Sequence, residues 1–296
     1  MKFIVSQLLN SVSYGALLFM IASGFSLIFG LMKMVNIVHV AYFAAGGYIG
    51  YWIYACTGSM ILAILGSALT ISALGGFIFK FLLYRLHGNP KSQVLLCLGL
   101  LFVFDDALLA IFGGYPKLLK SPALLAGTIS VMGTSFPVYR LFILGMGIMV
   151  MIFLEILINH THVGALVRSG VDDEETTRAM GINVDFLFIA VYMLGALLAA
   201  TGGVLGSGFM GLESRMCFNY LPLSMAIVII GGMGNLRGAF YGSMIIATLS
   251  TFGQSLLPTL TYFTTYLPVV LILMFKPNGL FSRTPKLRRS EKNART

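Results

Sequence analysis

The sequence is poor in charge. Only 10% of its 296 residues are Asp, Glu, Lys or Arg, against about 25% in soluble domains. So few charges cannot cover the surface of a water-soluble chain of this length, which excludes an ordinary soluble enzyme or binding module. Cysteine is scarce as well. Cys56, Cys97 and Cys217 are odd in number and scattered through apolar segments, so they form neither a disulfide framework nor a metal-ligand spacing and read as small hydrophobes. His160 and His162 flank a turn without acidic or thiol neighbours at ligand spacing, and read as solvated. There is no G-x-x-x-x-G-K-[ST] loop to cradle nucleotide phosphates, and no nucleophile–base pairing. The chain is expected to be no enzyme and to carry no metal or cofactor.

What is present is apolar. Fifty-eight per cent of the residues are hydrophobic, and glycine occurs 34 times. Lipid is the ordinary medium for such a surface, and glycine suits helices that pack backbone to backbone in a bilayer. The net charge of +9 is not the footprint of a nucleic-acid binder, because it is concentrated at one end. Lys276, Arg283, Lys286, Arg288, Arg289, Lys292 and Arg295 follow the last apolar stretch and read as a cytoplasmic anchor, compatible with contact to anionic lipid.

A spanning helix needs about 20 apolar residues. Candidates are 7–31, 36–55, 60–84, 92–113, 139–158, 187–209, a long stretch 221–256, and 259–275. The first exceeds a signal-peptide core and lacks a small-residue cleavage element. No connection could fold as a separate soluble domain. The fold class is therefore an all-α, polytopic membrane helix bundle of about 8–9 membrane segments in one domain, 1–296.

Basic residues orient it. Lys80, Arg85 and Lys91, then Arg168 and Arg178, then the seven of the tail fall in three connections that can share one side, leaving Lys117, Lys120, Arg140 and Arg215 opposite. The imbalance makes the first side cytoplasmic, with 114–138 periplasmic. Parity then requires 221–256 to enter and return, broken at Gly231-Gly232-Met233-Gly234-Asn235-Leu236-Arg237-Gly238. Irregular backbone at membrane depth survives only where protein or a water-filled cavity covers it. Gly231, Gly232 and Gly234 either line a path or pack tightly against a neighbouring helix. At the N-terminus parity does not decide: a fully spanning 36–55 places it outside, a re-entrant one inside.

The 159–186 connection carries the clearest local signals. Asp172 as N-cap with Glu175 three residues on would form a capping box. Asp173, Glu174 and Glu175 suit a first turn and Arg178 a last one. Gly181 supplies a left-handed end. A helix of roughly eight residues is not stable alone and needs something to dock against, either its own bundle or a cytoplasmic partner. Within the apolar segments, Asn36 and His39 begin a run rich in small residues. Asp105 and Asp106 lie two thirds along 92–113, where a carboxylate costs several kcal/mol unless it faces a cavity or partner. Adjacent on a helix, they point about 100° apart and do not serve one site together. Each of these four is either structural or part of a translocation path. Glu155 reads as a snorkelling end residue.

The run from Gly164 to Asp185, G-A-L-V-R-S-G-V-D-D-E-E-T-T-R-A-M-G-I-N-V-D, resembles the cytoplasmic coupling loop of LivH-type permeases of bacterial branched-chain amino acid ABC importers. Other stretches agree in order along nearly the whole chain. Asn36-Ile37-Val38-His39-Val40 resembles an N-x-A-H-G element, with Val38 and Val40 departing from it. Gly133 to Leu141 resembles the loop entering the next helix, Gly231 to Gly242 a G-G-x-G-x-x-x-G-A-x-x-G stretch, and Lys276 to Phe281 a [KR]-P-x-G-L-F terminus. The resemblance implies a non-catalytic permease subunit of the inner membrane. Its partners would be a second similar permease, two cytoplasmic ATPases, a periplasmic binding protein and a small amino acid substrate. It also implies that the ATPase contact includes Arg168, Asp172, Asp173, Glu174, Glu175, Arg178, Ala179, Met180, Gly181 and Ile182. An ion-coupled transporter or channel is the alternative, weakened by the near absence of intramembrane acids.

Overall fold

The computed structural model describes residues 2–86, 88–131, 133–276 and 279–281. Of the basic tail, Arg283 to Arg295 lie outside the described residues, as do Pro277 and Asn278 of the terminal motif. Eleven α-helices and one β-hairpin occur among the described residues: α1 Lys2–Met32, α2 His39–Thr57, α3 Met60–Ile78, α4 Pro90–Phe112, β1 Thr128–Val131, β2 Thr134–Pro137, α5 Val138–His160, α6 His162–Asp172, α7 Glu174–Ala179, α8 Val184–Phe209, α9 Met216–Gly231, α10 Leu236–Leu256 and α11 Thr261–Phe275. Among the described residues, six helices are long and apolar enough to cross a membrane, namely α1, α3 with its extension to Leu86, α4, α5, α8, and α11 with the turn before it. With α2, α9 and α10 packed among them, the described residues form a bundle of nine helices.

Helix ends follow local chemistry. Ser59, Asn89, Asn183 and Asn235 cap α3, α4, α8 and α10 with side-chain oxygens that accept backbone N–H bonds, satisfying donors left over in a first turn. Gly58 closes α2 in the left-handed region, at φ 67°. Beyond Ile78, α3 widens into a π-turn, Phe79–Leu83, and then a 3-10 turn, Tyr84–Leu86.

The two ends of the bundle are distinct. At the hairpin end, β1 pairs antiparallel with β2, Arg140 donates to Asn10, and Lys117 and Leu212 exchange backbone bonds of 2.8 and 2.7 Å. Lys2 lies against Gly133, so the N-terminus sits at this end. At the opposite, short-helix end lie α6, α7, the α9–α10 break and residues 279–281. The break is as expected: helix ends at Gly231 and resumes at Leu236, α9 and α10 both return to the hairpin end, and α11 runs back.

The segment after α1 resolves the question that parity left open. Lys33 turns the chain with φ 52°, and the Nε2 of His39 bonds the carbonyl of Ile21 at 3.1 Å. Ile21 lies 11 residues before the end of α1, about 16 Å at 1.5 Å per residue. Residues 33–38 thus fold back along α1, and α2 begins within the bundle before running to the hairpin end. The traverse is completed by an irregular segment and a helix together, neither a full span by one helix nor a return to its starting side.

Helices α2 and α8 pack backbone against backbone. A methyl group at Gly203 would sit 1.9 Å from the carbonyl oxygen of Phe43, and one at Gly46 2.4 Å from the Cα of Ala200. Backbones in such contact gain dispersion energy that larger side chains would prevent. Ser67 adds a 2.6 Å bond to the carbonyl of Gly46.

Candidate functional site

The fold-back at 33–38 assembles a buried polar cluster. Asn36 is 1% exposed and His39 fully buried. The Oδ1 of Asn36 accepts from Tyr192 at 3.2 Å and from the Cys97 thiol at 3.8 Å, and Tyr192 and Tyr42 share a 3.0 Å hydroxyl–hydroxyl bond. Among the described residues the Nδ2 of Asn36 and Nδ1 of His39 have no hydrogen-bond partner. His39 fits because a side chain at Gly24 would strike both its ring and the carbonyl of Gly195. The cluster ties α1, α2, α4 and α8 together in the interior. Neither Asn36 nor His39 is among the residues lining the two large cavities. Tyr42 and Tyr192 were not signalled by sequence, since a tyrosine in an apolar run is indistinguishable from a core aromatic.

The α9–α10 break does two things. Gly231 and Gly238 pack backbone against backbone, and Gly30 of α1 packs against Gly234. At the same time Met233, Gly234 and Asn235 border a cavity of about 510 Å³ at the short-helix end. Gly232, with φ 88°, makes the turn. Of the three glycines singled out, Gly234 is the one among the residues lining this cavity. The tail seals the break from below, with Leu280 N–H bonded to the Ile230 carbonyl at 2.8 Å and the Asn235 amide to the Phe281 carbonyl at 2.6 Å. Glu155, expected to snorkel, instead pairs with Arg237 at the start of α10 and accepts from Asn159 at 3.0 Å.

Asp105 and Asp106 part as expected. Asp105 is 7% exposed and lies in a narrow niche with Glu213 and Arg215, beside the Cys217 thiol. Asp106 is exposed on the outer face of α4.

The short-helix end differs from expectation in detail. The connection holds two helices. Its capping residue is Asp173, which accepts from Thr176 N–H at 3.0 Å and Thr176 O–H at 2.5 Å, whereas Asp172 is the last residue of α6. The bonds to Thr176 hold the Asp173 carboxyl below its ordinary pKa. The shift of register is physical: α6 continues through Asp172, leaving only Asp173 in the extended geometry that a cap requires. Gly181 adopts the left-handed conformation, at φ 82°, as expected. Arg178 bonds Asp185, Glu174 at 2.8 Å and Tyr84 at 3.2 Å, and these partners, Asp185 foremost, raise its pKa. The 3-10 end of α3 joins through a 2.5 Å bond from Tyr84 to Asp185. Arg168 caps the end of α5 through the Ile158 carbonyl. The apolar residues here face out: Met180 is 74% and Phe186 66% exposed, with Ala179 exposed and Ile182 half-buried. Glu175 is exposed as well.

A second cavity, of about 550 Å³, opens at the hairpin end among α1, α5, α8, α9, α10 and α11. Arg140, counted on sequence only for orientation, stands in its wall.

Residues 7–275 match the family described as branched-chain amino acid transport system / permease component. The chain is 23% identical to the high-affinity branched-chain amino acid transport system permease protein BraD of Pseudomonas aeruginosa, over 94% of this chain and 96% of the relative. It is 24% identical to the corresponding permease protein LivH of Escherichia coli, over 95% of this chain and 96% of that one. A xylose/arabinose import permease protein, XylH, of Sulfolobus acidocaldarius is 28% identical over 64% of this chain and 51% of the relative. No solved structure gives a significant match.

Proposed function

The chain belongs to the branched-chain amino acid transport permease component family, and from that premise we propose that it forms, with a second homologous permease, the membrane part of an importer for a small amino acid in a bacterial inner membrane. Two separate ATPase subunits drive it from the cytoplasm, and a periplasmic binding protein delivers the substrate. The two relatives matched over almost their whole length are named as branched-chain amino acid permease proteins, which supports the substrate class. The short-helix end is cytoplasmic. Lys33, Arg237 and Lys276 add to the basic residues there, consistent with the charge asymmetry.

The observation that carries the mechanism is the outward apolar face around Gly181. Helix α7 has six residues, too few for independent stability, and is anchored at one end by Arg178 and capped at the other by Asp173. Its free face presents Ala179 and Met180, where an ATPase groove would gain apolar contact. Arg168 and Glu175 at the rim would set register more than affinity. Nucleotide-driven motion of the ATPase would reach the bundle through Arg178–Asp185 into α8, and through Tyr84 into the π-turn of α3. Helix α8 in turn holds Tyr192 of the buried cluster. Asn36, His39 and Asp105 position the helices that move, and Gly234 borders the inner exit.

The test is reconstitution. The chain in proteoliposomes with its partner permease and ATPases should take up radiolabelled leucine only with ATP and binding protein. Uptake by this chain alone, driven by an ion gradient, would instead establish a secondary transporter.

A further inference from the structure

The cavity at the hairpin end holds two opposite charges that do not meet. Arg140 projects from the first turn of α5. Its guanidinium donates to the Oδ1 of Asn10 and lies 4.9 Å from the ring centroid of Phe209. Glu213 stands on the α8–α9 connection, fixed by the Lys117–Leu212 backbone pair beside it, and accepts from the Asn219 amide at 3.0 Å. Both line the same cavity. Among the described residues neither has an ion-pair partner, and they do not pair with each other. Opposite charges in a partly apolar cleft would gain by collapsing together. Here each is held in place by its own neighbours, so the space between them stays open.

Arg140 keeps four of its five N–H donors after the bond to Asn10, enough to grip a carboxylate in bidentate fashion. Glu213 keeps one carboxylate oxygen without a protein donor. The wall of the cavity is mixed: Tyr14 stacks on Phe209 with centroids 6.0 Å apart, Met210 and Leu223 add apolar surface, and α10 contributes the polar side chains of Ser250, Thr251 and Gln254. From Gln7 to Tyr14 the cavity follows α1 for about 10 Å at 1.5 Å per residue, well below the hairpin.

We propose that this cavity is a binding site for a small zwitterionic amino acid. Arg140 receives its carboxylate, Glu213 its ammonium group, and the wall around Leu223 its aliphatic side chain. The proposal rests on the importer reading and deepens it, placing a recognition step inside this subunit, after release from the binding protein and before the path toward the α9–α10 break. The pairing also selects against molecules with one charge, because either leaves one of the two protein charges without a partner.

The test uses the assembled permease–ATPase complex in nanodiscs, without binding protein, and measures radiolabelled leucine binding. Leucinol, which lacks the carboxylate, and 4-methylvalerate, which lacks the ammonium, serve as competitors, and uptake is followed in parallel in proteoliposomes with binding protein. Wild type should bind leucine, neither analogue should compete well, and Arg140→Gln and Glu213→Gln should each weaken binding at least about tenfold while Lys120→Gln does not. Wild-type binding and uptake in both cavity variants, no leucine binding by a complex that transports it, or equal competition by either analogue would each overturn the site and leave the importer standing. Leucine bound in an Arg140- and Glu213-dependent manner by a complex that never transports it would support the site and count against the importer.

Discussion

Replacing Gly203 by alanine tests whether the α2–α8 contact sets the architecture. The added methyl would lie 1.9 Å from the Phe43 carbonyl oxygen and 2.7 Å from the Gly47 nitrogen. Both neighbours are backbone, so no rotamer change relieves the clash, and α2 must retreat by about 1.5 Å to restore ordinary contact. Such overpacking costs about 1–3 kcal/mol, set against a gain of up to about 1 kcal/mol from placing alanine in a helix. Because α2 carries His39 and Tyr42, its retreat also loosens their bonds to Ile21 and Tyr192. The control is Gly99→Ala on α4, where a methyl meets nothing within 4 Å and the helix-propensity gain stands alone. Thermal unfolding of the purified protein should place Gly203→Ala several degrees below wild type, with Gly99→Ala at or above it. A Gly203→Ala protein that melts with wild type and transports normally would refute the close-contact argument.

Three further outcomes follow from the same geometry. Tyr192→Phe should destabilise by about 1–3 kcal/mol because it leaves the buried Tyr42 hydroxyl without its partner, Tyr42→Phe by less because Tyr192 still donates to Asn36, and the double variant by less than their sum because they share one bond, as measured by thermal unfolding. Asp173→Ala should raise amide exchange across 174–180 while Asp173→Asn preserves protection. Since the carboxyl is held low in the folded state, its contribution is full above the ordinary aspartate pKa of about 3.9 and is lost only as pH falls through the lower folded value, so protection should persist to that point in acid. Gly181→Val forces a β-branched residue to φ 82° at a cost of about 1 kcal/mol or more, and should lower transport without reducing membrane insertion, read by uptake and by yield of the membrane-embedded protein.

Much of this architecture was legible because hydropathy and charge act over whole segments. The spans emerged within a few residues of their final bounds, and the requirement for an even number of passes located the α9–α10 break, since counting crossings needs no side-chain detail. Single-residue geometry was less accessible. Asp172 and Asp173 are equivalent caps by type, and only the length of α6 decides between them. The fold-back at 33–38 depends on His39 reaching Ile21, a tertiary bond that no local pattern announces. Tyr42 and Tyr192 likewise become a polar pair only when α2 and α8 meet. Arg140 was visible as a positive charge, but its cavity needed six helices to form.

We propose that the face around Gly181 engages an ATPase. Introducing Met180→Cys into a chain whose exposed Cys56 is replaced by serine, and cross-linking the assembled complex with a short bifunctional thiol reagent against cysteines placed along the ATPase groove, tests it directly. The account predicts a cross-linked permease–ATPase product whose yield changes with nucleotide state, and none from Lys120→Cys at the opposite end of the bundle. Full transport activity with no cross-link from Met180→Cys, and one from Lys120→Cys instead, would contradict it.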